Sequence, residues 1–322
     1  MKKGFILAIL GAFVLGLAPV TVSALTISPP LMEFDARPGD VIVDVVKLFN
    51  ETEEQLVLKS KVNNFKAMDE TGTPNFSSDA VEPNSLAAWV KLDEKEVTLA
   101  PGERKSVLFT INVPGDAEPG GHFAGILWTF GGAPSDDGQA VGVIAETGTL
   151  VLVRVAGEVR EEGRIAEFST DKTSYPHLPV NFGIRFENTG NVHVKPAGVI
   201  EIRNMWGKKV ATLTVNETLA NVLPNSIRKL DTIWQKNEVL PDASEWQKER
   251  ENFAWGRYTA TVILNYGVNG KTVTAKEAFM VFPWMVTLLY IVLLIVVIFL
   301  LTLIVKRYNR WLLKKYGAKV PK

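Results

Sequence analysis

The stretch Met285–Val305 constrains this chain more than any other. It reads M-V-T-L-L-Y-I-V-L-L-I-V-V-I-F-L-L-T-L-I-V, with no charge, no Gly and no Pro. As a helix rising about 1.5 Å per residue it extends roughly 31 Å, which matches the ~30 Å hydrocarbon core of a bilayer. A soluble helix is rarely apolar on every face over such a length, so the run reads as a transmembrane helix. Whatever precedes it then lies on one side of a membrane, and residues 306–322 lie on the other.

The flanks set the orientation. Lys306, Arg307, Arg310, Lys314, Lys315, Lys319 and Lys322 follow the run with no acid among them, the pattern of a basic cytoplasmic tail. Trp284 before the run, and Tyr308 and Trp311 after it, fall at headgroup depth, where amphipathic rings are favoured. At the other end, Lys2 and Lys3 precede an apolar segment from Phe5 to Leu17, and Val22-Ser23-Ala24 supplies small residues. Residues 1–24 therefore read as a signal peptide cleaved between Ala24 and Leu25, with an uncleaved N-terminal anchor as the alternative. The expected product is a single-pass plasma-membrane protein whose body, Leu25 to Pro283, is extracellular or periplasmic. Directly before the run stand F-M-V-F-P-W and no L-P-x-T-G box, so the span is expected to be retained.

Charge separates along the same line. The chain balances 35 Lys and Arg against 35 Asp and Glu, but the leader and the tail hold nine of the cations and none of the acids. The exported body is therefore acidic, which argues against nucleic acid as a partner. Cysteine is absent. That excludes disulfides, thiolate metal sites and cysteine nucleophiles, and leaves apolar burial to stabilise the body. About 260 residues suffice for two domains, each with its own core.

Short apolar runs broken by Pro, Gly, Asn and Asp mark an all-β body. Strands are expected at Val41–Phe49, Leu56–Val62, Val107–Val113, His122–Thr129, Leu150–Val155, Val180–Phe186, Val199–Arg203, Lys209–Val215 and Tyr258–Tyr266. Helical turns are expected at Ser85–Val90, with Ser85 as cap, and at Ser244–Glu251. The chain also echoes itself in order. Leu48-Phe49-Asn50-Glu51-Thr52 returns as Arg185-Phe186-Glu187-Asn188-Thr189, Leu99-Ala100-Pro101-Gly102 as Val222-Leu223-Pro224-Asn225, and Gly121-His122-Phe123 as Gly256-Arg257-Tyr258. Asn and Thr close turns with side-chain bonds, and Pro followed by Gly or Asn suits a type II turn. Three ordered echoes predict two copies of one module, an immunoglobulin-like β-sandwich: the first at 25–157, the second at 164–282, with the charged joint Glu158–Gly163 between them. Trp89, Trp128, Trp206 and Trp255 are expected in the cores.

The search for chemistry finds little. His122, His177 and His193 are scattered without carboxylates at metal-ligand spacing, and no G-x-S-x-G elbow or phosphate loop occurs. No catalytic residue, metal or cofactor is expected. The acidic pairs Glu53-Glu54, Asp69-Glu70, Asp136-Asp137 and Glu161-Glu162 read as solvated loop charge, with Asp136-Asp137-Gly138 in a polar loop (131–138) that supplies too few ligands for Ca²⁺ alone. Asn50, Asn75 and Asn216 stand in N-x-[ST] sequons. The most distinctive loop is Pro119-Gly120-Gly121-His122-Phe123. Its glycines let backbone approach a neighbour closely, so Gly120, Gly121, His122 and Phe123 are candidate ligand contacts; a tight entry into a core strand is the alternative.

The first module carries I-S-P-P, A-R-P-G-D, L-F-N-E-T, S-L-A-A-W-V, T-L-A-P-G-E-R-K, I-N-V-P and P-G-G-H-F-A-G-I. On these strings it resembles the peptidoglycan-binding domain of WxL-interacting cell-surface proteins of Gram-positive bacteria. The second, with V-L-P-N-S and W-G-R-Y-T-A, is similar to that family's membrane-proximal domain. The resemblance implies a non-enzymatic surface protein whose first module touches cell-wall peptidoglycan and whose second binds a partner surface protein. The competing expectation is a structural accessory subunit of an envelope secretion or pilus-type assembly complex.

Overall fold

The computed structural model describes residues 25–77, 84–130, 145–240 and 242–316. The expected signal peptide with Ala24, the loop bearing Asp136 and Asp137, and Lys319 and Lys322 of the tail lie outside the described residues. The chain separates into two compact units, one ending at Val159 and the other beginning at Arg160, with the turn Ala67–Thr73 counted to the second.

The first unit is a sandwich of two sheets. One orders β1 (Leu25–Ser28), β3 (Val41–Asn50), β8 (Arg104–Asn112) and β6 (Val90–Leu92). The other orders β2 (Leu31–Ala36), β10 (Ala145–Val155), β9 (Gly120–Phe130), β4 (Leu56–Ala67) and β5 (Pro74–Phe76), with β7 (Glu96–Leu99) also on β4. Alternation builds the core. On β8, Val107, Phe109 and Ile111 turn inward while Leu108 turns out. They meet Leu48, Leu58, Leu99, Ile126 and Trp128, all fully buried, and each such side chain contributes on the order of 1.5–3 kcal/mol on leaving water.

The second unit repeats the plan. One sheet orders β11 (Gly163–Thr170), β13 (Val180–Asn188) and β16 (Ser226–Trp234); the other orders β12 (Ser174–Tyr175), β18 (Lys271–Val281), β17 (Gly256–Tyr266), β14 (Ala197–Asn204) and β15 (Lys209–Val215). In both units the chain begins on one sheet and crosses to run parallel to the last strand of the other: β2 along β10, and β12 along β18. Phe182, Ile184, Phe186, Ile200, Val262 and Phe279 fill the second core. The fold is thus all-β, two tandem immunoglobulin-like sandwiches followed by one helix.

Every expected strand forms, most of them longer than the apolar run that announced it. Trp89 and Trp128 are core residues, but Trp206 is 73% exposed and Trp255 45%. Trp206 sits on a turn, where the Asn204 side chain accepts the N–H groups of Trp206 and Lys208 (3.1 and 3.0 Å) and leaves the ring off the sandwich. The first helix, α1 (Leu86–Trp89), starts after Ser85, yet the Ser85 side chain makes no cap bond; Asn64 Oδ1 accepts the Ala87 N–H instead, at 3.0 Å. The second, α2 (Glu245–Glu251), is capped by Ser244. The charged joint is no free linker. Glu161 is buried and its carboxylate accepts the Val268 N–H at 2.8 Å, which corrects its reading as solvated loop charge.

The echoes prove structural, with a shifted register. Asn50 and Asn188 are both fully buried. The Asn50 amide donates to the carbonyls of Glu54, Leu99 and Ala100 (2.7, 3.2 and 3.0 Å), and its Oδ1 accepts the Thr52 N–H at 2.9 Å. Asn188 donates to Val192 and Val222 carbonyls (2.7 and 2.8 Å) and accepts the Gly190 N–H at 2.9 Å. Each Asn carbonyl receives the N–H of the left-handed residue after the turn proline, Gly102 in one unit and Asn225 in the other (3.0 and 2.9 Å). Asn50 therefore matches Asn188, one residue beyond the alignment read from L-F-N-E-T. Likewise Gly120 and Gly256, both at positive φ, open β9 and β17 opposite Val155 and Val281.

Replacing Asn188 by Ala removes both donors from buried carbonyls, at a cost of about 2–4 kcal/mol. Denaturant unfolding of the full chain in detergent measures this, and Asn188→Asp, which sets an anionic acceptor against the same carbonyls, is expected to cost more than Ala.

Candidate functional site

The loop singled out in the first unit resolves into separate environments. Gly120 is buried at positive φ, and the preceding Pro119 lies on Gly157, where a Cβ would sit 2.5 Å from the proline Cγ. His122 and Phe123 are successive strand residues and face opposite sides of the sheet. The His122 ring packs on Trp89 at 4.5 Å between centroids, and its Nε2 lies 2.9 Å from the Glu118 carbonyl. Phe123 instead joins Phe65 on the outer face (6.0 Å), and Phe65 meets Phe76 at 5.7 Å. Gly125 lies under Phe76, where a Cβ would come within 2.5 Å of the ring. The four candidates thus share one strand, on which His122 and Phe123 take opposite faces.

The sequons divide similarly. Asn50 is spent on its buried bonds. Asn216 donates to the Pro196 and Ala220 carbonyls at 2.8 and 3.0 Å. Asn75, on β5, is exposed.

The second candidate region is the entry to the long helix α3 (Trp284–Tyr316). This helix is long and apolar enough to cross a membrane, and none of its most apolar window is buried. It continues past Val305, where the apolar run stops, through the basic segment. Trp284, Tyr308 and Trp311 are all exposed on it. Tyr308 stacks with Trp311 at 6.1 Å, and Lys315 Nζ lies 4.8 Å from the Trp311 ring centroid. From Trp284 to Tyr308 the helix rises roughly 36 Å, between the thickness of the hydrocarbon core and that of the whole bilayer.

The join to the sandwich is short and specific. β18 ends at Val281, and only Phe282 and Pro283 intervene before α3. The buried Glu249 carboxylate, at the end of α2, accepts the Val286 N–H at 3.0 Å. A carboxylate there answers an otherwise unpaired first-turn N–H and the positive end of the helix dipole. Thr287 N–H closes on the Pro283 carbonyl at 2.9 Å. Asn252, buried behind α2, accepts from Lys236 and Asn237 N–H (3.2 and 3.0 Å) and ties the insertion to the end of β16. On its outer side Lys248 and His177 reach Glu245 (2.8 and 3.2 Å) and hold that carboxyl below its ordinary value. Glu249 escaped the sequence reading because a cap supplied from 37 residues away leaves no local pattern.

Beside this join, Tyr175 on β12 is buried and donates to Asp171 Oδ1 at 2.6 Å. Burial, and then that bond, push its phenol up to about 12. Among the described residues no group of three or more His, Asp or Glu could hold a metal ion.

No family model and no curated protein matches the chain. Solved structures that resemble it include the class 5 fimbriae chaperone CfaA, at 13% identity and a TM-score of 0.39, over 80% of this chain and 99% of that one. The Pseudomonas aeruginosa CupB2 chaperone aligns at 9% identity and a TM-score of 0.35, over 79% and 100%. A Salmonella enterica complex of SafA pilin with the SafB chaperone aligns at 10% and 0.35, over 81% and 98%. Likeness at this level transfers no function.

Glu249→Ala strands the Val286 N–H and is expected to speed its hydrogen exchange about tenfold or more, since an unmet buried donor costs on the order of 1–3 kcal/mol. Tyr175 gives a pH signature. The fold favours its neutral form, so this contribution is complete below the ordinary tyrosine value of 10.0 and is lost as pH rises from there through about 12. Unfolding measured across that range is expected to show a shallower loss for Tyr175→Phe.

Proposed function

We propose that the chain is a non-enzymatic, single-pass membrane protein that presents two immunoglobulin-like sandwiches outside the membrane as a binding scaffold. The observation that carries this reading is the join at Glu249 and Val286, which makes the second sandwich and α3 one mechanical piece. The cations that follow the apolar run, Lys306, Arg307, Arg310, Lys314 and Lys315, support a cytoplasmic tail. Within that frame, the resemblance of I-S-P-P, A-R-P-G-D and P-G-G-H-F-A-G-I to WxL-interacting proteins supports peptidoglycan as the ligand of the first sandwich and a surface protein as that of the second.

A second reading is a structural accessory subunit of an envelope secretion or pilus-type complex. It is favoured by edge strands that pair on one side only, β2 in the first unit and β15 in the second. Such edges accept a strand from a partner. Along β15 runs an open cleft of about 690 Å³, lined in part by Thr212, Thr214, Asn216, Asp231 and Thr232.

Full-length protein in detergent, incubated with purified peptidoglycan, tests the first reading: retention at physiological salt supports it. Photo-cross-linkers at Thr212 and Leu31 in intact cells test the second, for which products with integral membrane proteins are expected. Neither retention nor cross-links would overturn the scaffold itself.

A further inference from the structure

The end of the second sandwich that meets α3 exposes six aromatic side chains. Trp206, Trp246, Phe253, Trp255, Phe282 and Trp284 are 73, 38, 40, 45, 43 and 51% exposed. Strand register places them together. Asn204, which holds the Trp206 turn, pairs with Tyr258; Gly256, directly after Trp255, pairs with Val281; and Val281 leads through Phe282 to Trp284. Met205 lies over Gly256, where a Cβ would clash with its methyl carbon, so the Trp206 turn abuts the start of β17. Trp246 belongs to α2, whose last turn carries Glu249 onto the first turn of α3, and Phe253 follows that helix. The opposite end of β17 and β18 is a Gly-rich turn, Gly267–Gly270, with one apolar side chain, Val268, between Gly267 and Asn269.

We propose that this end of the sandwich is a membrane-docking surface, its indole and phenyl rings seated in the headgroup layer around the point where α3 enters the bilayer. The proposal rests on the reading of α3 as a transmembrane helix and deepens it from a tether into a seat. Three facts select lipid over a protein partner. The patch is continuous with the apolar surface of α3. Its dominant residue is Trp, whose flat amphipathic ring favours the interface over both water and hydrocarbon. And the rings are held by rigid devices, the Asn204 turn, the capped α2 and the two-residue join, so that they are already ordered without a partner to fold onto. Lys208, exposed beside Trp206, suits a lipid phosphate at the same depth.

The chain has no cysteine, so a single introduced thiol carries one label. Lys208→Cys, Gln247→Cys, Val268→Cys and Leu294→Cys are each labelled with an environment-sensitive fluorophore. The full-length protein is reconstituted into phosphatidylcholine vesicles containing nitroxide lipids. Labels at 208 and 247 are expected to be quenched by headgroup nitroxide roughly threefold more than the label at 268, and to be shielded from aqueous iodide. Adding Trp206→Ser with Trp255→Ser, both surface changes, is expected to return the label at 208 toward the value at 268. Quenching at 294 by chain nitroxide, with 208 and 247 no different from 268, would leave the span standing and overturn the docking. No quenching at 294 would overturn both.

Discussion

A sandwich without cysteine has no disulfide between its two sheets, and in each unit of this chain a buried asparagine ties a strand end to a turn. In the first, Asn50 ends β3 in one sheet and its amide reaches the carbonyls of Leu99 and Ala100 at the end of β7 in the other. In the second, Asn188 ends β13 and reaches Val222. Both sites are sealed from water, where an amide bond to a carbonyl is stronger and an unmet carbonyl is costly. The apolar residues drive the sheets together, but they do so without direction. The amides fix which strand end meets which turn.

The same dependence explains how much could be read in advance. Alternating apolar residues marked the strands, and the turn chemistry of Asn-Thr, Pro-Gly and Pro-Asn marked the repeat, because both are short-range patterns. The alignment of the repeat slipped by one residue at Asn50 and again at Gly120. Matching letters rewarded Phe49 against Phe186 and Gly121 against Gly256, while the structure equates residues by what their backbone does: a buried amide in one case, a positive φ in the other. Of the four loop candidates, Gly120, Gly121, His122 and Phe123, the sequence could show that they were distinctive. It could not show that His122 and Phe123 part to opposite faces, since that depends on where the strand begins.

The apolar helix was legible in the sequence, and its joint to the sandwich was hidden. The 21 uncharged residues Met285–Val305 mark a helix long and apolar enough to cross a membrane in any hydropathy window. The carboxylate that seats the helix is a Glu in a charged insertion, E-W-Q-K-E-R-E, where nothing marks Glu249 off from Glu245 or Glu251. Only packing selects it: Glu245 turns out to Lys248 and His177, Glu249 turns in to Val286. Exposure of Trp206 and Trp255 was missed for a related reason, since tryptophan is expected in a core unless a membrane offers it a second place.

Comparison of the two units at equivalent positions shows where the second departs from the first. Each enters its penultimate strand through a positive-φ glycine, Gly120 or Gly256. In the first unit the residue before that glycine is Pro119, folded down on Gly157. In the second it is Trp255, standing half out of the surface. The last strands also end alike, at Val155 and Val281, but the first continues into Ala156-Gly157 and the second into Phe282-Pro283-Trp284. The backbone devices are shared and the side chains that cover them differ. In the first unit small residues and proline close the corner. The second unit sets Trp and Phe at that corner instead, directly before the apolar helix α3.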